Sequence, residues 1–250
     1  MEYNNGKFVW FEHMSGDVAK ARTFYNALFD WTSDPIPMGS EPYHMIQNAG
    51  SGIGGFRKAQ PGMAAQWMSY LSVANVDAGY LAATGAGGTG MMPPVDFGGE
   101  GRAAGVIDPT GASFCLWKGA HGDQPDVLNG PDGGFIWNEL WTSSTTKALA
   151  FYKGCFGYNS ETVDMGNGAY HLLIKDGKRR AGMMGSVNPK ARSMWLPYVK
   201  VADCDATSVK AELLGGQVAF PPMEIPNIGR FAILIDTTGV PLAVMKPVPM

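Results

Sequence analysis

Phe8-Val-Trp-Phe-Glu-His-Met14 returns later in the chain as Phe135-Ile-Trp-Asn-Glu-Leu-Trp141. The two copies lie 127 positions apart, since Trp10 matches Trp137. Side chains along a strand alternate between its two faces. The conserved spacing of Trp and Glu therefore predicts the same strand twice, with the indole and the carboxylate on one face.

The similarity continues along both halves of the 250-residue chain. After one inserted residue the displacement becomes 128, as Trp67 matches Trp195. Ordered matches with one shift indicate a duplicated structural unit. The other matching segments are Phe24–Phe29 with Phe151–Phe156, Tyr43-His44 with Tyr170-His171, Met92–Asp96 with Phe220–Glu224, Gly101-Arg102 with Gly229-Arg230, and Asp108–Gly111 with Asp236–Gly239.

The residue patterns predict an α+β fold with four βαβββ modules, two in each half. Apolar residues from Val18 to Leu28 recur at helical spacing, with Ser15 or Asp17 as the cap. Short strands with one helix per module favour curled mixed sheets around clefts over a doubly wound sheet. We expect further strands at 43–48, 52–57, 67–74 and near 89–92, 102–107 and 112–117, and a helix from Asp77 to near Gly85. We divide the chain into an N-terminal domain at 1–122, a linker at 123–134 and a C-terminal domain at 135–250, because Gly, Asp and Pro are frequent from Gly119 to Gly134.

Composition excludes several function classes. Hydrophobic residues make up 45% and charged residues 16%, and the net charge is −3. We therefore expect no nucleic-acid partner and no membrane partner. The polar N-terminus lacks a signal peptide, and Cys115, Cys155 and Cys204 lack metal-site or redox spacing, so we expect reduced, small buried cysteines and a cytoplasmic protein. A monomer and a homodimer both remain open.

Three motifs resemble the vicinal oxygen chelate superfamily, which includes glyoxalase I, bleomycin-resistance and fosfomycin-resistance proteins and extradiol dioxygenases. They are the Phe-Tyr pairs at 24–25 and 151–152, the run Val73–Asp77 before a helix, and the final strand motif Asp108–Phe114. The tandem form is most similar to the actinobacterial "hydroxylase" or secreted-antigen group of glyoxalase-like proteins. The resemblance covers nearly the whole chain and implies paired βαβββ units, but a fold does not fix a reaction.

The resemblance also implies where a divalent metal would bind. The expected ligand positions fall on Trp10, Met68 and Cys115, and near Gly54-Gly55. In the second half they fall on Trp137, Leu196 and Ala243, and near Gly182-Met183. Indole and aliphatic side chains do not bind hard cations. We therefore expect no metal and no cofactor, with a divalent metal as the alternative and a new site of Glu12, His13 and His44 as a further one.

Strand alternation places aromatic and polar residues where metal ligands would be. Such a composition, mostly apolar with a few polar groups, is typical of a ligand pocket. The predicted ligand-binding residues are Trp10, Met14, Met68, Trp137, Trp141, Trp67, Trp195 and Arg102, and the predicted catalytic candidates are Glu12, Glu139, Tyr70, Tyr198, His44 and His171.

Each candidate also has a structural alternative. Glu12 and Glu139 could act as general bases, hold a ligand, or form a structural hydrogen bond with Tyr70 or Arg102. His44 and His171 could be structural residues or could form hydrogen bonds in the pocket. Arg102 and Arg230 could pair with the turn residues Asp108 and Asp236 or with neighbouring carboxylates, or they could bind a ligand anion. Trp67 and Trp195 could be core residues.

Three functions follow. The first is a metal-independent binding protein of the bleomycin-resistance type for a small apolar, aromatic or cationic molecule. The second is a lyase, isomerase or hydrolase-like enzyme with Glu12 or Glu139 as base and Tyr70 or Tyr198 as acid. The third is a metal-dependent lyase, isomerase or dioxygenase, similar to lactoylglutathione lyase.

Overall fold

A computed structural model describes residues 1–38, 41–127, 130–164, 168–186, 188 and 191–249. Its elements form four modules, each a strand, a helix and three strands. The first contains β1 (Phe8–Ser15), α1 (Val18–Phe29), β2 (Thr32–Ile36), β3 (Tyr43–Asn48) and β4 (Ser51–Lys58). The second contains β5 (Gln66–Ser72), α2 (Val76–Gly85), β6 (Thr89–Asp96), β7 (Gly101–Ile107) and β8 (Ser113–Gly119).

The second half repeats this order. The third module contains β9 (Phe135–Thr142), α3 (Thr145–Phe156), β10 (Asn159–Asp164), β11 (Ala169–Lys175) and β12 (Lys178–Gly185). The fourth contains β13 (Met194–Lys200), α4 (Cys204–Leu213), β14 (Gln217–Ile225), β15 (Gly229–Ile235) and β16 (Pro241–Pro247).

Each half contributes one eight-stranded mixed sheet. The strand orders are β2-β3-β4-β1-β5-β8-β7-β6 and β10-β11-β12-β9-β13-β16-β15-β14. In both sheets the first strand of a module pairs in parallel with the last, while the last three strands pair antiparallel. The predicted α+β class with tandem βαβββ modules is confirmed.

The two compact units of the chain do not coincide with the two sheets. The first unit consists of residues 1–10, 68–126 and 137–195, and the second of residues 11–67, 127–136 and 196–250. Each unit therefore combines one module from each half of the sequence. The division into domains at 1–122 and 135–250 remains a prediction, and Leu128 and Asn129 of the predicted linker lie outside the described residues.

Local sequence accounts for the ends of α1. The Asp17 side chain accepts a hydrogen bond from the Lys20 backbone N–H at 2.9 Å, so Asp17 is the N-cap. Asp30 ends the helix in the left-handed conformation, with φ of 57°. The second helix begins one position earlier than expected, because Asn75 caps it and Asp77 lies in its first turn.

The core of the second unit contains a hydrogen-bonded chain that joins the two sequence halves. The indole N–H of Trp67 donates to the Tyr25 hydroxyl at 3.1 Å, and Tyr25 is hydrogen-bonded to Asp236. His13 Nε2 also lies 2.7 Å from the Asp236 carboxylate, and neither side chain is exposed. The Phe-Tyr pair of one half and the Asp turn of the other thus hold this core together.

The first unit repeats this arrangement. The Trp195 indole donates to the Tyr152 hydroxyl at 2.9 Å, and Tyr152 donates to Asp108 at 3.0 Å. Burial, and then the Asp108 charge, raise the pKa of Tyr152 well above its usual value, so the phenol keeps its proton and donates. Leu140 occupies the position that corresponds to His13, and it is fully buried.

Two further features concern the chain as a whole. No helix among the described residues is long and apolar enough to cross a membrane. No disulfide joins the three cysteines, all of which lie within the described ranges: Cys115 and Cys204 are buried, whereas Cys155 is only half-buried.

Candidate functional site

One face of β9 and β12 in the first unit carries the most developed candidate site. Glu139 is in register with Gly182, and Trp141 with Met184. Met184 is also in register with Tyr170 on β11. Because register partners point to the same side of a sheet, Glu139, Trp141 and Tyr170 share a face. Trp137 joins them, two residues before Glu139.

These four side chains form a continuous hydrogen-bonded network, which we call the Glu139 site. The Trp137 indole donates to the Tyr170 hydroxyl at 2.9 Å. Tyr170 is hydrogen-bonded to Glu139, whose Oε1 accepts the Trp141 indole N–H at 2.5 Å. Glu139 is only 5% exposed, whereas both indoles and the phenol are half-buried. The network therefore fixes a buried carboxylate beneath partly exposed aromatic rings.

The protonation of Tyr170 agrees with its place in the network. Burial raises the pKa of Tyr170 well above its usual value, and the charge of Glu139 and the hydrogen bond to it act in the same direction. The hydrogen bond from Trp137 acts in the opposite direction but is smaller. Tyr170 therefore stays neutral at ordinary pH, and its hydroxyl donates a hydrogen bond to the carboxylate.

Gly182 makes the space that this network needs. A Cβ atom at this position would overlap the Tyr170 hydroxyl and lie 2.9 Å from the Trp137 indole nitrogen. Only glycine lets the phenol cross the strand at this point.

The first half of the sequence has an equivalent cluster, which we call the Glu12 site. Its residues belong to the second compact unit. Glu12 is in register with Gly55, and a Cβ atom on Gly55 would overlap the Tyr43 hydroxyl. Glu12 lies 3.6 Å from Arg57 Nη1, measured to Oε2. Arg57 is in register with Met14. The Glu, Tyr and Gly positions thus recur, but an Arg–Met pair replaces the Met–Trp pair of the second half.

The predicted phenols on the middle strands lie beside other aromatic rings. In the first unit, Tyr70 is in register with Cys115 and meets Trp117 edge to face, with ring centroids 6.2 Å apart. In the second unit, Tyr198 is in register with Ala243 and lies 6.5 Å from Phe231. Both phenols are buried, as are Met68 and Leu196 at the start of the same strands.

The structure does not bring His44 or His171 to the carboxylates. His44 is in register with Phe56, and Phe56 with His13, on the face opposite Glu12. Burial and then Arg22 of α1 lower the pKa of His44. His171 lies on the face of the sheet opposite to that of Glu139, and its Nδ1 is 2.9 Å from the Thr162 hydroxyl. Both histidines thus lie on the sheet face away from the carboxylates, because the neighbouring tyrosine of each Tyr-His pair takes the face of the Glu; a catalytic role for either histidine stays a prediction.

Three further predicted ligand residues lie elsewhere. Trp67 and Trp195 are 3% and 4% exposed and belong to the hydrogen-bonded cores described above. They are core residues, as the structural alternative expected. Arg102 pairs with Asp77 and Asp96 at 2.8 Å on the surface, and this guanidinium hydrogen bond lowers the pKa of Asp77. Arg102 thus pairs with neighbouring carboxylates, one of the structural alternatives, and not with Asp108, which accepts hydrogen bonds from Thr110 and Tyr152.

The side chains at the expected metal positions do not fit a hard divalent ion. Trp10 and Met68 offer no oxygen or imidazole donor, and Cys115 lies beside Tyr70. Glu12 and Glu139 are in contact with a guanidinium and an indole, respectively. Within the described ranges, no three His, Cys, Asp or Glu side chains cluster closely enough to share a metal.

Full-length relatives identify the family. CFP32 of Mycobacterium tuberculosis, provisionally named a glyoxylase, is 35% identical over 255 residues, which cover 99% of this chain and 97% of that protein. The chain belongs to the glyoxalase-like, vicinal oxygen chelate family. Another relative, DnrV of Streptomyces peucetius, is named an anthracycline biosynthesis protein; it is 31% identical, over 96% of this chain and 93% of its own. No family model matches the chain.

Solved structures support the same fold at low identity. An extradiol ring-cleaving dioxygenase from B. fuscum has a TM-score of 0.68 with 13% identity, over 98% of this chain and 73% of its own. A Mn(II)-bound glyoxalase from Novosphingobium aromaticivorans has a TM-score of 0.65 with 12% identity, over 98% and 83%. These likenesses concern the fold alone.

Sequence reasoning did not recognise the roles of Tyr43, Tyr170, Gly55 and Gly182 in the two clusters. The repeated Tyr-His pairs were visible, but the facing direction of β3 and β11 depends on their register with β4 and β12. The signal that could have identified them is the repeat itself, which places a Tyr and a Gly at matching positions in both halves.

Proposed function

We propose that this protein binds a small aromatic molecule at the Glu139 site, with Trp137 and Trp141 as contact surfaces and Glu139 as the orienting group. The observation that carries this proposal is the buried carboxylate held by Trp141 and Tyr170 beneath half-buried rings. The indole N–H groups point to Tyr170 and Glu139. The rest of each half-buried indole ring is carbon, which suits stacking.

Binding is favoured over proton abstraction by the same geometry. Glu139 accepts the Trp141 N–H and is hydrogen-bonded to a phenol that keeps its proton. Hydrogen bonds donated to a carboxylate stabilise its charged form and make it a weaker base. A carboxylate offers about four acceptor positions, and it can serve Trp141, Tyr170 and a ligand at once.

The names of the relatives narrow the ligand class. DnrV is named for anthracycline biosynthesis, and anthracyclines are polycyclic aromatic compounds. We propose a planar aromatic ligand of this general type.

Trp141→Met tests the proposal, because Met14 is the natural residue at the equivalent position. We expect affinity for planar aromatic ligands to fall by about tenfold, as roughly 1.4 kcal/mol of stacking is lost. Isothermal titration calorimetry with a panel of anthraquinones and naphthalenes measures this. The matched control is Glu161→Gln, an exposed change in the same unit. Unchanged affinity in Trp141→Met, or no binding by the wild-type protein at millimolar ligand, would contradict the proposal.

The proposal includes no resident divalent ion. We expect elemental analysis of the purified protein, incubated with Mn²⁺, Zn²⁺, Ni²⁺ and Fe²⁺ and then desalted, to find far less than one ion per chain. The reason is that Trp10 and Met68 stand where oxygen or imidazole donors are needed. Stoichiometric metal would instead favour a metal-dependent lyase, isomerase or dioxygenase.

A further inference from the structure

We propose that the Glu139 site selects a cationic aromatic ligand, and that the equivalent Glu12 site does not. This inference rests on the proposed function and specifies its ligand. It follows from two positions beside each carboxylate that face each other on paired strands and carry different residues in the two halves. These positions hold Met14 and Arg57 in the first half, and Trp141 and Met184 in the second.

The exchange changes the charge beside the carboxylate. In the first half, Arg57 Nη1 lies 3.6 Å from Glu12, and the guanidinium is 28% exposed. In the second half, the residue in the Arg57 position is Met184, and Glu139 accepts a neutral indole N–H from Trp141. The Glu12 site therefore has a positive guanidinium at one of the two positions, whereas Trp141 and Met184 at the same positions of the Glu139 site are both uncharged.

Aromatic rings around a buried carboxylate suit a cation. The face of an indole attracts a positive charge through its quadrupole. Trp137 and Trp141 are half-buried on the side of the sheet that carries Glu139. A ligand that stacks on either ring brings its positive group close to a carboxylate shielded from bulk water, where attraction is stronger than at an exposed site.

The same ligand meets an obstacle at the Glu12 site. There a cation would have to approach Arg57 or displace it from Glu12. Like charges placed together are the usual means of rejecting a wrong partner. The two sites are therefore specialised, although the Glu, Tyr and Gly residues that support them are the same.

A pair of matched probes tests the charge preference. The cationic probe is (2-naphthylmethyl)trimethylammonium and the neutral probe is 2-naphthylmethanol, so both present the same ring. By calorimetry we expect one high-affinity cation site per chain, with affinity at least about tenfold above that of the neutral probe. Glu139→Gln keeps the shape and removes the charge, and it should reduce the preference for the cation to what the indole faces alone provide.

Exchange variants test the two positions directly. Met184→Arg should remove most of the preference, whereas Leu81→Arg, which adds the same charge at a helix residue that is 69% exposed, should keep it. The double variant Met14→Trp, Arg57→Met should raise the stoichiometry of the cation from one to two. Circular dichroism and denaturant midpoints report whether each variant is folded.

The outcomes separate this inference from the proposed function. If neither probe nor any planar aromatic ligand binds, both fail. If both probes bind the wild-type protein equally, or if Met184→Arg keeps the preference as fully as Leu81→Arg does, charge selection is wrong and aromatic binding stands.

Discussion

Replacing Asp236 with alanine is expected to lower the free energy of unfolding by about 3–5 kcal/mol, because it removes a buried acceptor that several donors share. The carboxylate lies 2.7 Å from His13 Nε2 and accepts the Thr238 hydroxyl at 2.7 Å and the Val240 N–H at 3.0 Å. Tyr25 is hydrogen-bonded to it as well. Denaturant unfolding, monitored by tryptophan fluorescence, measures the loss.

A surface aspartate provides the control. Asp205 of the same unit pairs with Arg230 through an exposed contact, so Asp205→Ala should change the midpoint far less. An equal effect of the two substitutions would show that the buried network adds nothing beyond an ordinary surface ion pair.

The pH dependence of stability gives a second readout of Asp236. Burial alone would raise the pKa of this carboxyl, but the hydrogen bond and charge of His13 and the backbone donors outweigh it and lower the pKa. Ionised Asp236 therefore stabilises the fold above about pH 4, the ordinary range of an aspartate, and this contribution is lost as the pH falls through the lowered pKa. Asp236→Asn should flatten the loss of stability at acid pH.

Local sequence patterns were sufficient to locate most of the helices and strands in the first half. Strand β2 is the exception, and it has a physical cause. The 3.6-residue spacing from Val18 to Leu28 and the alternation in 8–14 correspond to α1 and β1. β2 was not located, because it is an edge strand with Pro35 and mostly exposed side chains, and neither alternation nor apolar content distinguishes it from a loop.

The candidate site was predictable only in the parts that lie on one strand. Alternation placed Trp137, Glu139 and Trp141 on one face. The position of Tyr170 beside Glu139 depends on the register of the β11–β12 hairpin and on the pairing of β12 with β9, where Gly182 meets Glu139 across 43 positions of sequence (182 − 139). The pairing of Tyr25 with Asp236 was equally hidden, since it joins the first module to the last.

Gly182→Ala is expected to disrupt the Glu139 site and to lower the free energy of unfolding by about 1–3 kcal/mol, the usual cost of overfilling a packed region. The new Cβ would overlap the Tyr170 hydroxyl and lie 2.5 Å from its ring carbon Cζ. The phenol must move, and its hydrogen bonds to Trp137 and Glu139 then break. Binding of a planar aromatic ligand should weaken by at least about tenfold, equivalent to roughly 1.4 kcal/mol.

Two comparisons separate this clash from a general effect of alanine in the strand. Gly185→Ala lies three residues away on β12, where an added Cβ meets nothing within 4 Å, so stability and binding should both be unchanged. In a Tyr170→Leu background the clashing ring is absent, and Gly182→Ala should cost much less than in the wild type. If the two substitutions instead add independently, the glycine is not there to admit the phenol, and the network around Glu139 does not depend on this crossing.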